Sequence, residues 1–360
     1  MQEFFILIIF KNMHVDYIIV GLGLAGMAFS EELRRNNKSF LVFEDKSQNS
    51  SLVAGGMYNP VILKRFTAVW NGAIQIDVAL PFYNILEKLL NKEYHYNVPI
   101  YRVFKSIEEQ NNWFVACDKP LLKKYMIPEV NHYKYKGIIS DFGFGELKNT
   151  GRIDTKTLLN DYQYFLLEQQ QLIQEQFEHA KLNIKKDCFE YKDIVSKKIV
   201  FCEGFGLKKN PFFNTLPMQE VKGELLVIKA PELKIDFLIK AAVSVMPLGN
   251  DFYKVGATFN WKDKTKNPTL EGKEELVEKL NSVISVPYEI VDHLAGIRPT
   301  IKDRRPLAGK HQEFKNMAIL NGLGTRGVMI APTLAKQLYN HLENGELLNE
   351  EVSITRFSKA

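Results

Sequence analysis

Val15-Asp16-Tyr17-Ile18-Ile19-Val20-Gly21-Leu22-Gly23-Leu24-Ala25-Gly26 is the stretch that decides how this chain folds. Its first six residues, rich in β-branched and aromatic side chains, predict a buried strand. The glycines that follow have the spacing GxGxxG. Gly21 lets the backbone turn sharply out of the strand, Gly23 offers a phosphate bare backbone, and Gly26 lets the next helix pack closely on the strand. That helix is expected over Leu24–Arg35. Its first N–H groups are unpaired and carry partial positive charge, which suits a pyrophosphate, so Leu24 and Ala25 join the candidate contacts. Asn36-Asn37-Lys38 is a turn, and Ser39–Glu44 is a second buried strand ending in an acid. Strand, helix and strand fit the ~30 residues of a βαβ unit. Glu44 stands where an adenosine ribose would donate both hydroxyls. Asp45, one residue out of phase, is expected to face solvent.

This unit serves NAD and FAD alike. The choice comes from a second glycine-rich helix start, Asn321-Gly322-Leu323-Gly324-Thr325-Arg326-Gly327, which follows a short apolar strand at Met317–Leu320. A helix N-terminus there would stabilise the negative charge that a reduced flavin carries near N1 and the C2 carbonyl. Ala54-Gly55-Gly56-Met57 is small enough to run beside a flat ring system, although a surface loop has the same composition. FAD is therefore the expected cofactor.

Between these ends the pattern is mixed. Helices are expected at Leu80–Leu90, at Thr155–Gln169 with Asp154 as N-cap, at Lys273–Ser282, and at Ala331–Leu342 starting nearer Arg326. Strands are expected at Pro99–Phe104, Tyr133–Ile139, Lys198–Cys202, Gly223–Ile228, Ala241–Met246 and Phe252–Ala257, with a turn at Gly249-Asn250. The fold class is α/β: a Rossmann-type FAD-binding domain (segments 14–80, 148–214 and 295–360) interrupted by an antiparallel-sheet α+β substrate domain (segments 81–147 and 215–294). There is no internal repeat.

The 360 residues carry a net charge of +5, mild for this length, which permits an anionic or RNA partner without demanding one. Three cysteines without a CxxC pair argue for a reducing cytoplasm over a disulfide framework. No apolar run is long enough to span a bilayer. Phe4–Phe10 is apolar but lacks the basic flank and cleavage site of a signal peptide, and Met13 rather than Met1 is the expected start. The seven histidines show no metal-ligand spacing, so no metal is expected.

Taken together, these stretches resemble the D-amino-acid-oxidase-like FAD-dependent oxidoreductases, nearest to the glycine oxidase branch and to the FAD domain of the bifunctional enzyme of tRNA wobble uridine. The resemblance runs from Val15 to about Gly345. Besides the N-terminal fingerprint and the Gly55-Gly56 loop, it rests on Phe201-Cys202-Glu203-Gly204, Val221-Lys222-Gly223-Glu224 and Val255-Gly256-Ala257-Thr258-Phe259. The most specific stretch is Ala295-Gly296-Ile297-Arg298-Pro299-Thr300, followed by Pro306-Leu307-Ala308-Gly309 and the second glycine-rich helix start.

The resemblance implies that Arg298 binds a substrate carboxylate, as a guanidinium does through two parallel hydrogen bonds. It implies a role for Arg326 at the flavin helix, left open between substrate, flavin and an ion pair with acids near Glu44. It adds Gly204 to the nucleotide contacts. The branch carries a carboxylate-holding tyrosine on the strand that here reads Val243-Ser244-Val245-Met246-Pro247; none is present, which speaks against free glycine as substrate. No cysteine lies in 305–314, so the FAD is expected to be non-covalent. The implied reaction is oxidation of a carbon–nitrogen bond, with R–NH–CH2–COO⁻ as the expected substrate form and R either small or a modified tRNA uridine. Hydride passes to flavin N5 and the imine hydrolyses. No catalytic acid or base is assigned. Two alternatives stand beside it: an NAD-dependent dehydrogenase, and a flavin-binding protein without turnover.

Overall fold

The computed structural model describes residues 13–357. The expectation about the first twelve residues lies outside them. The chain builds two large sheets by visiting each in turn. It starts with β1 (Met13–Val20), α1 (Leu24–Arg35) and β2 (Phe40–Phe43), then a single helical turn α2 (Ser50–Val53) and the long helix α3 (Gly72–Leu90). It crosses to the second sheet for β3 (Ile100–Val103), β4 (Met126–Asn131) and β5 (Phe144–Leu147). It returns through α4 (Thr155–Glu168) to β6 (Leu172–Ile173) and β7 (Ile194–Phe201). A second excursion makes β8 (Met218–Lys229), β9 (Leu238–Lys240), β10 (Ser244–Gly249), β11 (Phe252–Gly256), α5 (Leu270–Asn281) and β12 (Glu289–Ile301). The last visit brings β13 (Leu307–Lys310), β14 (Met317–Asn321) and α6 (Gly327–Glu343).

The first sheet runs β6-β2-β1-β7-β14, all parallel, with β13 antiparallel on β14 and two short strands, Phe189–Tyr191 and Asn183–Ile184, added antiparallel at the start of β7. Its central strands are apolar on both faces, as a sheet covered on both sides must be. Tyr17 and Ile19 face a core shared with α1, α3 and α6, while Ile18 and Val20 face a second core. The other sheet runs β12-β8-β11-β10-β9-β3-β5-β4 and is antiparallel except where β9 meets β3. One of its faces carries Tyr101, Leu226, Ile228, Ile239, Val245 and Val255, which pack with Leu276 and Leu280 of α5. No helix among the described residues is long and apolar enough to cross a membrane.

Asp154 caps α4 as expected, its carboxylate accepting the Thr157 N–H at 3.2 Å. Three expectations need correction. Tyr133–Ile139 is not a strand: Gly137, at φ +79°, turns the chain, and only Ile138 makes an isolated bridge, to Ile284. The boundary expected at 80/81 falls inside α3, whose Ile76, Ala79, Phe82, Tyr83 and Leu86 all belong to the core beneath α1 and α6. The boundary expected at 294/295 falls inside β12, which pairs without a break with β8 from Leu294 through Ile301. The second sheet therefore includes Arg298.

Candidate active site

A cleft of about 810 Å³ lies where the carboxyl ends of the parallel strands meet one face of the antiparallel sheet. Val20, Phe43, Cys202 and Asn321, at or just past the ends of β1, β2, β7 and β14, all line it. Crevices at the carboxyl ends of such strands are where open α/β sheets bind nucleotides.

The glycine turn is built as its spacing requires. Gly21 has φ +97°, and a Cβ there would stand 2.6 Å from the Cys202 carbonyl oxygen. A Cβ on Gly26 would stand 1.9 Å from the Gly21 oxygen, so α1 lies directly on the turn. Gly26 works by packing and does not itself line the cleft; Gly21, Gly23, Leu24 and Ala25 do. Gly23 is the N-cap of α1, with no side-chain cap and no acid in the first turn. The Leu24 N–H donates to Ser51 Oγ at 3.2 Å. Glu44 lines the cleft beside this turn and accepts the N–H groups of Leu22 (2.5 Å) and Lys46 (2.6 Å). Burial raises its carboxyl above the usual range against the pull of those hydrogen bonds. Asp45 is exposed on the rim, as expected.

The second helix start converges on the first. A Cβ on Gly327 would stand 2.9 Å from Leu24 Cδ1, so α6 begins against the first residue of α1. Gly324, Thr325 and Gly327 line the cleft, as do Gly55, Gly56, Met57 and Gly204. Gly324 has φ +60° and its N–H donates to the Pro299 carbonyl at 3.0 Å. Gly322 is a packing residue off the cleft: a Cβ there would meet Ile301 Cγ1 at 2.7 Å. The N-cap of α6 is Arg326, and no side chain caps it. Arg326 also corrects the sequence reading, since it is not among the residues that line the cleft. Its guanidinium is pulled down by burial and by the charge of Arg304, and among the described residues it forms no ion pair with an acid.

The antiparallel sheet faces the cleft with side chains. Strand register sets which ones: Gly296 pairs with Gly223, Leu225 with Gly256, Gly256 with Ser244, Ser244 with Lys240, and Lys240 with Arg102. Alternation along each strand adds Arg298, Lys254, Met246 and Leu238 to that face. All of these residues line the cleft. The acids that line it, Glu44, Asp45, Glu175 and Glu203, all stand on the side of the parallel sheet.

Arg298 is held within this face. Its guanidinium stacks on the Phe259 ring at 4.4 Å and donates to the carbonyls of Thr258 (3.2 Å) and Lys222 (3.3 Å). A Cβ on Gly223 would lie 1.9 Å from Nη2, so a glycine is needed for the side chain to pass. No carboxylate among the described residues pairs with Arg298, and burial pushes it down to about 10. Lys254 donates to the carbonyls of Ala54 (3.2 Å) and Val53 (3.4 Å), directly behind the Gly55-Gly56 loop. Lys240 donates to Ser244 Oγ at 2.5 Å; burial, then the charge of Arg102, push it down to about 8. Sequence reading named neither lysine. Each alternates with cleft-facing residues of its own strand, a signal that becomes readable only once the facing side is known.

A family model described as FAD-dependent oxidoreductase matches residues 16–340. The chain belongs to that family. Its cofactor is FAD, and the NAD-dependent alternative falls with that assignment. Uncapped α1, the bare turn at Gly21 and Gly23, and the adjoining start of α6 fit a dinucleotide whose phosphates meet helix N-termini. Among curated relatives, glycine oxidase of Bacillus subtilis is 26% identical over 149 residues, covering 39% of this chain and 40% of that protein. The tRNA 5-methylaminomethyl-2-thiouridine biosynthesis bifunctional protein of Marinobacter nauticus is 24% identical over 167 residues, covering 42% of this chain and 26% of that one. The chain thus spans less than half the length of either. The fold extends much further than these matches: the structure of glycine oxidase from Geobacillus kaustophilus superposes with a TM-score of 0.79 at 16% identity, over 93% of this chain and 96% of that one.

Proposed function

We propose that the protein oxidises the carbon–nitrogen bond of a carboxylate-bearing amine, in the form R–NH–CH2–COO⁻. The observation that carries this reading is Arg298: a half-buried guanidinium in the cleft, stacked on Phe259 and without a carboxylate partner among the described residues. Such a cation is an anchor for a substrate anion. Bound FAD supplies the acceptor for two electrons and a proton. The substrate loses a hydride from the carbon beside nitrogen and a proton from nitrogen, leaving an imine. Water then adds to the imine, and the carbon–nitrogen bond breaks to give R–NH2 and an oxo acid. Arg298 fixes the carboxylate and thereby the carbon next to it, which is the positioning this chemistry needs. No acid or base is assigned, because a bound neutral amine needs none to lose hydride.

A second reading makes R a modified uridine of tRNA. It draws on exposed Lys64, Lys105, Lys208 and Lys209 around the cleft, a basic rim suited to phosphates, and on the Marinobacter relative. We place the protein in the cytoplasm, on its three unpaired cysteines.

The test is anaerobic mixing of the FAD-loaded protein with glycine, sarcosine, D-amino acids and the carboxymethylaminomethyl nucleoside. Bleaching of the flavin visible band by a secondary amine with a carboxylate is the expected result. A flavin left oxidised by every amine would instead support a flavin-binding protein without turnover.

A further inference from the structure

We propose that Lys240 anchors a second carboxylate on the substrate, so that the preferred amines are N-carboxyalkyl glycines with an anion at each end. The proposal rests on the reading of the cleft given above and names the R group that it left open.

Lys240 and Arg298 share the cleft-facing side of the antiparallel sheet but stand at separate places on it. Arg298 is on β12 and Lys240 on β9, with β8, β11 and β10 between them. Their charged ends lean inward: the Arg298 guanidinium lies over Gly223 of β8 and the Lys240 ammonium against Ser244 of β10, so two strand spacings of ~4.8 Å, about 10 Å, separate the strands that carry the two cations. Of the three cations that β3, β9 and β11 direct into the cleft, Lys240 is the one with neither a carboxylate nor a carbonyl partner among the described residues, while Lys64 and Lys105 stand on the exposed rim. Arg102, on the adjoining strand, is neutralised by Glu109 at 2.6 Å. Lys254 spends its ammonium on the two carbonyls of the α2 end. The Lys240 ammonium has the Ser244 hydroxyl and no carboxylate among the described residues. On the opposite face of the same sheet the protein does pair its buried lysine: Lys222, fully buried, meets Asp263 at 2.5 Å and Glu224 at 3.4 Å. Lys240 is half-buried, and an ammonium partly withdrawn from water without a counter-charge is costly, a cost that an arriving anion offsets. One ammonium beside one hydroxyl offers donors for the two oxygens of a carboxylate. Burial, and then the charge of Arg102, push Lys240 down to about 8, and a bound anion would counter both with opposite charge.

Two thioethers that cannot be oxidised as amines serve as probes: thiodiglycolate, with two carboxylates, and (methylthio)acetate, with one. Each is titrated into the FAD-loaded protein and followed by the shift in the flavin visible band. The wild-type protein is expected to bind thiodiglycolate at least about tenfold tighter than (methylthio)acetate. Lys240→Gln is expected to remove that preference with (methylthio)acetate affinity unchanged, and Lys240→Arg to retain it. Arg298→Ala is expected to weaken both. Equal binding of the two probes to the wild type would overturn the proposal. So would an equal loss for both in Lys240→Gln, since Lys240 would then share the carboxylate held by Arg298. The readout needs no turnover, so a protein that oxidises no amine would fail the functional reading and still decide this one.

Discussion

The two sheets that meet at the cleft approach a ligand in different ways. The parallel sheet offers backbone: strand ends, the Gly21 and Gly23 turn, and two helix starts that touch at Leu24 and Gly327. The antiparallel sheet offers side chains projecting from one face, Arg298, Lys254 and Lys240 among them. Their glycines differ in the same way. Gly26 clears a path for backbone against backbone, 1.9 Å from the Gly21 oxygen, and Gly223 clears a path for the Arg298 side chain. On the reading proposed above, the dinucleotide meets mainly backbone and the substrate meets the cations of the antiparallel face. The division predicts that changes in the antiparallel face alter substrate kinetics and leave FAD in place.

The largest effect is expected from Arg298→Ala. Two charge-assisted hydrogen bonds to a carboxylate are worth about 1.5–3 kcal/mol each, so kcat/KM for carboxylate amines should fall by roughly 10²–10⁴-fold. Steady-state kinetics beside a flavin absorbance count of the purified protein would check both halves. Loss of FAD from this variant would show that the two sheets do not divide the work.

How much of this could be read beforehand follows the same division. The nucleotide half was readable because its parts are local: Gly21, Gly23, Gly26 and Glu44 lie within one βαβ unit, the glycines for steric reasons and the acid as a hydrogen-bond acceptor. Arg298 was singled out through the family resemblance carried by Ala295–Thr300, and the structure places it in the cleft. Lys240 and Lys254 were not, because they reach the cleft only through the order β12-β8-β11-β10-β9, a long-range pairing that no local pattern encodes. Arg326 misled for the opposite reason. Its position beside Gly324 and Gly327 is correct, but a residue at a helix N-cap contributes backbone there, and its side chain need not follow. Tyr133–Ile139 carries strand-forming aromatics, and the glycine at 137 outweighs them.

An intermediate effect is expected from Gly223→Ala. The new Cβ would lie 1.9 Å from Nη2, 2.2 Å from Cζ and 2.4 Å from Nη1 of Arg298. The obstacle is the end of a flexible side chain, so the fold should survive and the guanidinium should move. A displacement on the order of 1 Å costs about 10²-fold when it misplaces a reacting carbon, which sets the upper end of the expected loss in kcat/KM. Adding Arg298→Ala to Gly223→Ala should then cost no more than Arg298→Ala alone, because both act through one group. Additive losses would mean that Gly223 serves the cleft in some other way.

The smallest effect, and the one that leaves the cleft alone, is expected at the far end of α6. Glu343 accepts hydrogen bonds from Tyr17 Oη and Lys198 Nζ, each at 2.6 Å, and pairs with Lys38. Burial alone would raise its carboxyl, but the hydrogen bonds from Lys198, Lys38 and Tyr17 outweigh it and hold the group at about 2 against an ordinary 4.5. A carboxylate with a lowered folded-state value stabilises the fold above its unfolded value and loses that contribution as pH falls toward the folded one. Glu343→Gln should therefore lower stability by about 1–2 kcal/mol at pH 7, a few degrees in Tm, with kinetics at the cleft unchanged. The gap between the two proteins should narrow as pH drops below about 4.5, where the wild-type carboxyl itself begins to take up a proton in the unfolded chain. A gap that held constant through that range would show that Glu343 contributes by packing, and that the parallel half is not tied together by charge at this end.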